Sequence, residues 1–213
     1  HVEVLGNGTL LENYGSLKTI VNDHIRVALQ GRLVNHCHLH SDQHIWIEDN
    51  GRLENYNQID CDHKLKMNDG GVLELKPSSI SLVQDLQLYD AQIVNLGLST
   101  AVLKIWDDAI FYKDAAIGGM VDICAMGLTQ NQRFLTLSGN ARFDCGTQIP
   151  PTACITIGHY PGIDEDGDGV VTVLDPFPLD SSRVSKSCEA ASTLVFEDNT
   201  HVVVGNSMIR LDS

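Results

Sequence analysis

Hydrophobic and polar residues alternate in short stretches along most of the chain, and the stretches recur about every 20 residues. Three successive units are the clearest, at residues 30–49, 50–69 and 70–90. Each unit contains a glycine, a leucine two positions later, an alternating apolar pair and a closing aspartate. In order, these columns are Gly31, Gly51 and Gly71; Leu33, Leu53 and Leu73; Ile45 and Ile47, Leu65 and Met67, Leu86 and Leu88; and Asp49, Asp69 and Asp90. Alternation with a period of two predicts strands, and the Asn-Gly, Asp-Gly and Gly-Gly pairs predict turns.

Fainter copies of the unit flank these three, at residues 8–30, 91–108, 133–143 and 194–204. A repeat of this length made of short strands predicts an all-β fold, a parallel β-solenoid with one coil of about 20 residues per repeat. Coils stacked about 4.8 Å apart would place their inward residues in continuous apolar columns. The alternative is an antiparallel β-sandwich, with strands spaced about 8–12 residues apart.

The repeat pattern divides the chain into three parts. Residues 1–158 carry the solenoid repeats, 159–187 form an acidic insertion, and 188–213 form a terminal strand or coil that returns to the β core. Neither chain end shows a capping helix, so we expect strand edges at both chain ends to drive a homo-oligomer or polymer. No apolar run reaches the ~18 residues of a membrane-spanning helix, which predicts no membrane span.

The composition favours a folded acidic protein that binds cations. The chain has 213 residues, with 14 Lys+Arg against 28 Asp+Glu and a net charge of −14. A hydrophobic fraction of 43% is enough for a core, which excludes a wholly disordered acidic tail. The charge argues against nucleic acid as a partner, because phosphate binding needs clustered Lys and Arg.

Six cysteines, an even number, fit an oxidising compartment. Cys124 and Cys145 are about one coil apart, so a disulfide between adjacent coils is feasible. Cys37 and Cys61 are separated by a coil plus a bulge. Cys154 and Cys188 would close the acidic region, and Cys145–Cys154 is the competing local pair. The spacing leaves this connectivity open.

The acidic insertion contains a calcium-loop pattern in GIDEDGDGVVTVLDPFPLD, residues 162–180. Calcium needs six to eight oxygen ligands, and this spacing wraps carboxylates, a carbonyl and a hydroxyl around one point. The predicted ligands are Asp164, Asp166, Asp168, Val170 through its carbonyl, Thr172 and Asp175. Pro176 and Pro178 exclude the helix that would follow the loop in an EF-hand.

The DEDGDG and DPFPLD segments of this loop resemble the two ends of thrombospondin type 3-like aspartate repeats. The resemblance covers about 20 residues and a single copy of the unit. It implies calcium as a cofactor and an extracellular setting with millimolar calcium. It implies no activity.

A histidine cluster, HCHLHSDQH, lies in the first clear repeat. On a strand, His36, His38 and His40 would share one face and could hold zinc or copper. Leu33 and Leu39 are an even number of positions apart and an odd number from the histidines, so inward leucines place the histidines outward. The alternative is a polar outer face without metal.

These features together favour an extracellular structural protein that self-assembles into a filament, sheath or surface layer, stabilised by calcium and disulfides. We expect it outside the cell or at the cell surface, in a mature form without signal peptide. No catalytic motif is present, so we assign no catalytic residues and expect no enzyme activity. The alternatives are an adhesin or stalk fragment and, second, a carbohydrate-active β-helix enzyme.

Overall fold

The computed structural model describes residues 1–20 and 23–145, together with the backbone of three strands between residues 193 and 211. This part of the chain is mostly strand and tight turn, with one 3-10 turn at Gln132–Phe134. In chain order the strands are β1 (Val2–Leu5), β2 (Leu10–Asn13), β3 (Ser16–Thr19), β4 (Ile25–Ala28), β5 (Arg32–Asn35), β6 (His38–Ser41), β7 (His44–Ile47), β8 (Arg52–Asn55), β9 (Gln58–Asn68), β10 (Val72–Leu75), β11 (Ile80–Tyr89), β12 (Gln92–Asn95), β13 (Ala101–Ile105), β14 (Ala109–Phe111), β15 (Ala115–Gly119), β16 (Val121–Ala125), β17 (Thr129–Gln130), β18 (Leu135–Gly139), β19 (Arg142–Phe143), β20 (Thr193–Phe196), β21 (Val202–Gly205) and β22 (Met208–Leu211).

The strands wind into a three-faced solenoid in which each coil contributes one strand to each face. The first face stacks β1, β4, β7, the second halves of β9 and β11, β14 and β17. The second face stacks β2, β5, β8, β10, β12, β15 and β18. The third face stacks β3, β6, the first halves of β9 and β11, β13, β16 and β19. β9 and β11 are long because each continues around the corner from the third face to the first.

The described residues up to 143 form seven coils, from coil 1 (β1–β3) through coil 2 (β4–β6) to coil 6 (β14–β16) and coil 7 (β17–β19). Each pairing among the described strands is parallel. Strands on one face are offset by about 20 residues, as in the pairs of Leu33 with Leu53 and Leu53 with Leu73. The predicted parallel β-solenoid is therefore confirmed, and the antiparallel sandwich is wrong.

Inward side chains of the three faces meet in one continuous core. On the first face they form two apolar columns that run through coils 1 to 6. Those residues are Val2 and Val4, Ile25 and Val27, Ile45 and Ile47, Leu65 and Met67, Leu86 and Leu88, and Ala109 and Phe111. Full burial of each leucine or isoleucine contributes about 1.5–3 kcal/mol. The stack holds because each column adds a buried apolar residue at each of coils 1 to 6.

The recurring aspartates and glycines form the turn that leads from the first face to the second. Asp49, Asp69 and Asp90 have φ of 49°, 50° and 46°, a left-handed conformation that aspartate tolerates better than most residues. The next glycines pass close beneath the preceding coil. A Cβ at Gly51, for example, would overlap the carbonyl oxygen of Val27. The backbone conformation of this corner therefore explains why aspartate and glycine recur at these positions in the sequence.

A buried column of asparagines closes the inward side of the second face. Asn13 donates to the side-chain oxygen of Asn35 at 2.8 Å, and Asn35 donates to that of Asn55 at 2.9 Å. Asn35 also donates to the backbone carbonyl of Gln58 at 2.9 Å, on the far side of the corner. The three side chains are at most 1% exposed. They satisfy buried polar groups where the chain turns from the second to the third face.

The C-terminal strands return to the beginning of the solenoid. β21 pairs with β1, β22 with β2 and β20 with β3, all in parallel. The first coil is therefore covered on all three faces, and the prediction of an open strand edge at the N-terminal end of the chain is wrong. The backbone of the terminal segment supplies the missing partners instead. Within the described residues, the unpaired edges belong to β20–β22 at one end and to coil 7 at the other.

The cysteines follow the coil register in part. Cys124 and Cys145 form the predicted disulfide between coils 6 and 7, with Cα atoms 4.5 Å apart. The predicted Cys37–Cys61 pair is wrong, because Cys61 is a buried free thiol whereas Cys37 is disulfide-bonded. His38 pairs with Gln58, so Cys37 lies opposite Asn57, at the corner, while Cys61 lies in the core. The Cys145–Cys154 alternative is excluded by the bond to Cys124.

Candidate functional site

Two histidines of β6 and one aspartate of β9 meet on the outer side of the third face. Leu39 is fully buried, so its neighbours His38 and His40 point outward, as predicted. The register places Asp60 directly opposite His40 on the next coil. His38 Nε2 and Asp60 Oδ2 are 2.7 Å apart. One potential ligand atom from each of the three residues lies within 4.8 Å of the other two.

Two further side chains complete the surroundings of this cluster. Gln58 donates from its amide nitrogen to both carboxylate oxygens of Asp60, at 3.0 and 2.9 Å. Asp62 Oδ2 lies 3.6 Å from His40 Nε2 on a side chain that is 59% exposed. The Asp60 carboxylate is therefore held in one orientation, whereas the Asp62 side chain is mostly exposed to solvent.

Burial and charge set the protonation of the cluster. Burial lowers the pKa of His40, and Lys18 on the preceding coil acts in the same direction against the attraction of Asp62. Burial opposes ionisation of Asp60, but hydrogen bonds from His38 and Gln58 outweigh it and lower the pKa of the Asp60 carboxyl. Near neutral pH the cluster thus contains an ionised carboxylate beside a neutral His40 ring.

His36 does not join the other two histidines, which corrects the predicted set of His36, His38 and His40. β5 ends at Asn35, so His36 lies at the corner and not on the strand. Its ring stacks between Tyr14 and Tyr56, with centroid distances of 4.2 and 4.7 Å. The His36 ring therefore packs between two tyrosines and is not part of the cluster of His38, His40 and Asp60.

A second group with metal-ligand chemistry lies on the first face, where His1, Glu3 and His24 also bring ligand atoms within 4.8 Å. The rings of His1 and His24 stack at 4.6 Å, and His24 stacks on Trp46 at the same distance. Glu3 is engaged with Arg26 Nη1 at 3.3 Å. These contacts give the residues a structural role in a side-chain ladder.

The second face carries a ladder of opposite charges across coils 2 to 4. Arg32 and Arg52 donate to Glu54 Oε1 at 2.7 and 3.0 Å, and Lys76 lies 3.2 Å from the other oxygen. Glu74 accepts hydrogen bonds from Arg52 and Lys76. Burial of Glu54 opposes its ionisation, but the hydrogen bond from Arg32 and the charges of Lys76 and Arg32 lower its pKa to about 2. The ladder neutralises two nearly buried carboxylates that are stacked on adjacent coils.

The edge of coil 7 differs from the flanks of the solenoid in its apolar character. No described strand pairs with the outer edge of β17, β18 or β19. Leu137 lies over the buried Ile117 in the core column, yet it is 41% exposed. Leu128, Phe134 and Phe143 are also exposed on this coil. The coil therefore leaves core side chains and backbone hydrogen-bonding groups open at one end.

A cleft of about 390 Å³ lies beside the same end. Its lining consists of Thr100, Met120, Asp122, Asn140, Ala141 and Arg142. Arg142 Nε donates to Asp122 at 2.8 Å. The carboxylate of this cleft is thus engaged in an ion pair between coils 6 and 7.

Several predicted sites lie outside the described residues. They are the calcium ligands Asp164, Asp166, Asp168, Val170, Thr172 and Asp175, and the cysteines Cys154 and Cys188. Their assignments stay predictions. The described part of the chain contains no helix with the length and apolar character that a membrane crossing requires.

Comparison with protein-family models, curated proteins and solved structures gives no match. Two features stand out: the open apolar edge of coil 7, and the cluster of His38, His40 and Asp60.

Proposed function

We propose that this chain is an extracellular structural protein whose molecules stack end to end into a filament, sheath or surface layer. The observation that carries the proposal is the open edge of coil 7, where Leu137 and Phe143 continue core columns but remain partly exposed. Parallel strands with free N–H and C=O groups are templates for further strand pairing. An apolar core that ends in solvent gains free energy when another coil covers it.

The opposite end of the solenoid offers a matching surface. β20, β21 and β22 lie beneath the third, first and second faces of coil 1, respectively. Their backbones run in the same direction as those of β17–β19. The β20–β22 edge of one molecule can therefore continue the parallel sheets at the coil 7 edge of another. This arrangement is head-to-tail, and repeated addition leads to an open filament because a translation along the solenoid axis does not close.

Covalent and ionic links support an assembly of this kind. The Cys124–Cys145 disulfide ties coil 7 to coil 6 and limits fraying of the edge that would receive the next molecule. The predicted calcium loop at residues 164–175 would add a second restraint, at the millimolar calcium of an extracellular medium. Both restraints suit a protein that works outside the cell.

A charge placed in the core column of the open edge tests the proposal. Leu137→Lys can keep its ammonium in water in the single molecule, but end-to-end stacking would bury it. Thr136→Lys adds the same charge to the same strand on an exposed, outward position. We expect sedimentation velocity to show large species for the wild type and for Thr136→Lys, and single molecules for Leu137→Lys.

Equal assembly of the two variants would overturn the role of the coil 7 edge. Single molecules for the wild type at every concentration would overturn end-to-end assembly and favour the adhesin or stalk alternative. A far-ultraviolet circular dichroism spectrum shared by all three proteins would show that the change lies in assembly and not in folding.

A further inference from the structure

The cluster on the third face brings together three potential metal ligands, His38, His40 and Asp60, from two adjacent coils. His38 and His40 are two positions apart on β6, so their rings leave the strand on the same side. Asp60 comes from the next coil, opposite His40. The residues meet only because the two coils stack in register, so an ion bound there would hold coil 2 to coil 3.

Two of the distances in the cluster are close to those between neighbouring ligands of a tetrahedral ion. Ligands about 2.0–2.1 Å from a tetrahedral ion lie about 3.3–3.4 Å from one another. His40 Nε2 and Asp62 Oδ2 are already 3.6 Å apart, while the 2.7 Å between His38 and Asp60 must open slightly. Each of these two distances differs from the tetrahedral value by less than about 0.7 Å.

The immediate surroundings orient the ligands. The side chains of His38 and Asp60 are 28% and 21% exposed, so each is partly shielded by the neighbouring coils. The amide of Gln58 holds the Asp60 carboxylate through two hydrogen bonds. An outer partner of this kind fixes a ligating carboxylate and strengthens metal binding. Asp62 lies 3.6 Å from His40 Nε2 on the solvent side and is the nearest candidate for a fourth ligand.

The ligand set favours one kind of ion. Two imidazoles with one or two carboxylates suit a borderline cation such as Zn²⁺, whereas calcium prefers six to eight oxygens. We propose that His38, His40, Asp60 and Asp62 form a structural zinc site that fastens coil 2 to coil 3. This site is separate from the predicted calcium loop, and it does not depend on end-to-end assembly.

Zinc titration of the intact chain tests the site. The metal-free protein is titrated with Zn²⁺ by calorimetry in about 1 mM calcium, which fills oxygen sites typical of extracellular modules. We expect one saturable site in the wild type that is weakened by His38→Gln, His40→Gln and Asp60→Asn. The loss should be at least about 100-fold, since even outer-shell partners contribute about 10–100-fold.

His24→Gln is the matched control, because it removes a histidine from the other candidate cluster and leaves the third face intact. It should bind zinc as the wild type does. Co²⁺ should give the intense visible bands of a tetrahedral site in the wild type, and weaker bands in Asp62→Asn. Zinc should also raise the thermal unfolding midpoint of the wild type but not that of His40→Gln.

Unchanged zinc affinity in His40→Gln, or loss of the site in His24→Gln, would overturn the assignment. An octahedral Co²⁺ spectrum in the wild type would overturn the four-ligand geometry. Asp62→Asn leaves the core untouched because Asp62 is mostly exposed, so its Co²⁺ spectrum stays informative even if a histidine variant misfolds.

Discussion

Asn35 donates a hydrogen bond to the side-chain oxygen of Asn55 at 2.9 Å, across two stacked coils and inside the core. Neither side chain is exposed to solvent. The two residues are 20 positions apart, the same interval as the leucine and glycine columns. The 20-residue repeat therefore places a hydrogen-bond donor directly against an acceptor at the buried corner between the second and third faces.

We expect Asn35→Ala to destabilise the solenoid by about 1–3 kcal/mol, because it removes buried hydrogen bonds to Asn13, to Asn55 and to the carbonyl of Gln58. Urea unfolding measures the effect. Asn140→Ala, at an exposed position of coil 7, is the control and should change the free energy of unfolding by less than about 0.5 kcal/mol. Equal effects at the two positions would show that the buried column contributes no special stability.

Glu54 makes part of the stability depend on pH. Its pKa falls from 4.5 to about 2 on folding, so its stabilisation is complete above about pH 4.5 and is lost as pH falls towards about 2. We expect Glu54→Gln to cost about 1.5–3 kcal/mol at pH 7, since the hydrogen bonds from Arg32, Arg52 and Lys76 lose their charged acceptor.

Denaturant unfolding of the wild type and Glu54→Gln at pH 7 and pH 3 measures this dependence. The difference between the two proteins should shrink by about half or more at pH 3. Glu48→Gln is a useful control, because Glu48 pairs with the single base Arg26 on another face. A difference between wild type and Glu54→Gln that stays constant with pH would contradict the account of the charge ladder.

The disulfide between coils 6 and 7 should stabilise the open end. Replacing both Cys124 and Cys145 by serine should cost about 3 kcal/mol, as for the loss of a cross-link that closes a loop of about 20 residues. Hydrogen exchange should rise first in β17–β19. Cys61→Ser serves as control for the exchange pattern, since it changes a buried free thiol that pairs in register with Ser41 and removes no cross-link. Unchanged exchange in coil 7 of the double variant would count against this role.

Calcium binding is predicted from residues 164–175 alone. We expect the intact chain to bind one Ca²⁺ at submillimolar to millimolar concentration, and Asp168→Asn to weaken binding because it removes a carboxylate ligand. Calorimetry measures both proteins. Asp114→Asn, at an exposed turn of the solenoid, is the control. If calcium binds the wild type and Asp168→Asn equally, the loop is not the site.

Much of the fold could be predicted from the sequence because the solenoid repeats one physical unit. Leu33, Leu53 and Leu73 occupy one column, and the period of 20 predicts their contacts directly. Asn35 and Asn55, and His40 and Asp60, are also 20 positions apart and pair in the structure. These two contacts were not predicted. The sequence contains these polar residues at the correct spacing, but only the strand register in the structure shows which of them lie on the same face.

The errors arose where a corner interrupts the period. The His36 position was predicted to continue a strand, but β5 ends one residue earlier and the ring stacks on tyrosines. Cys37 and Cys61 are 24 residues apart, and the extra residues shift Cys61 from the corner into the core. The return of residues 188–213 to the β core was predicted, but their docking on coil 1 was not, because the apolar alternation of β20–β22 fits any coil equally well.

End-to-end assembly is tested most directly by electron microscopy of the intact chain at increasing protein concentration, in calcium and without reductant. We expect unbranched filaments with an axial repeat of about 38 Å, since the seven coils of residues 1–143 and the turn formed by β20–β22 are stacked about 4.8 Å apart. Leu137→Lys should abolish these filaments, and Thr136→Lys should retain them. Dispersed single molecules of the wild type at every concentration would contradict the proposal.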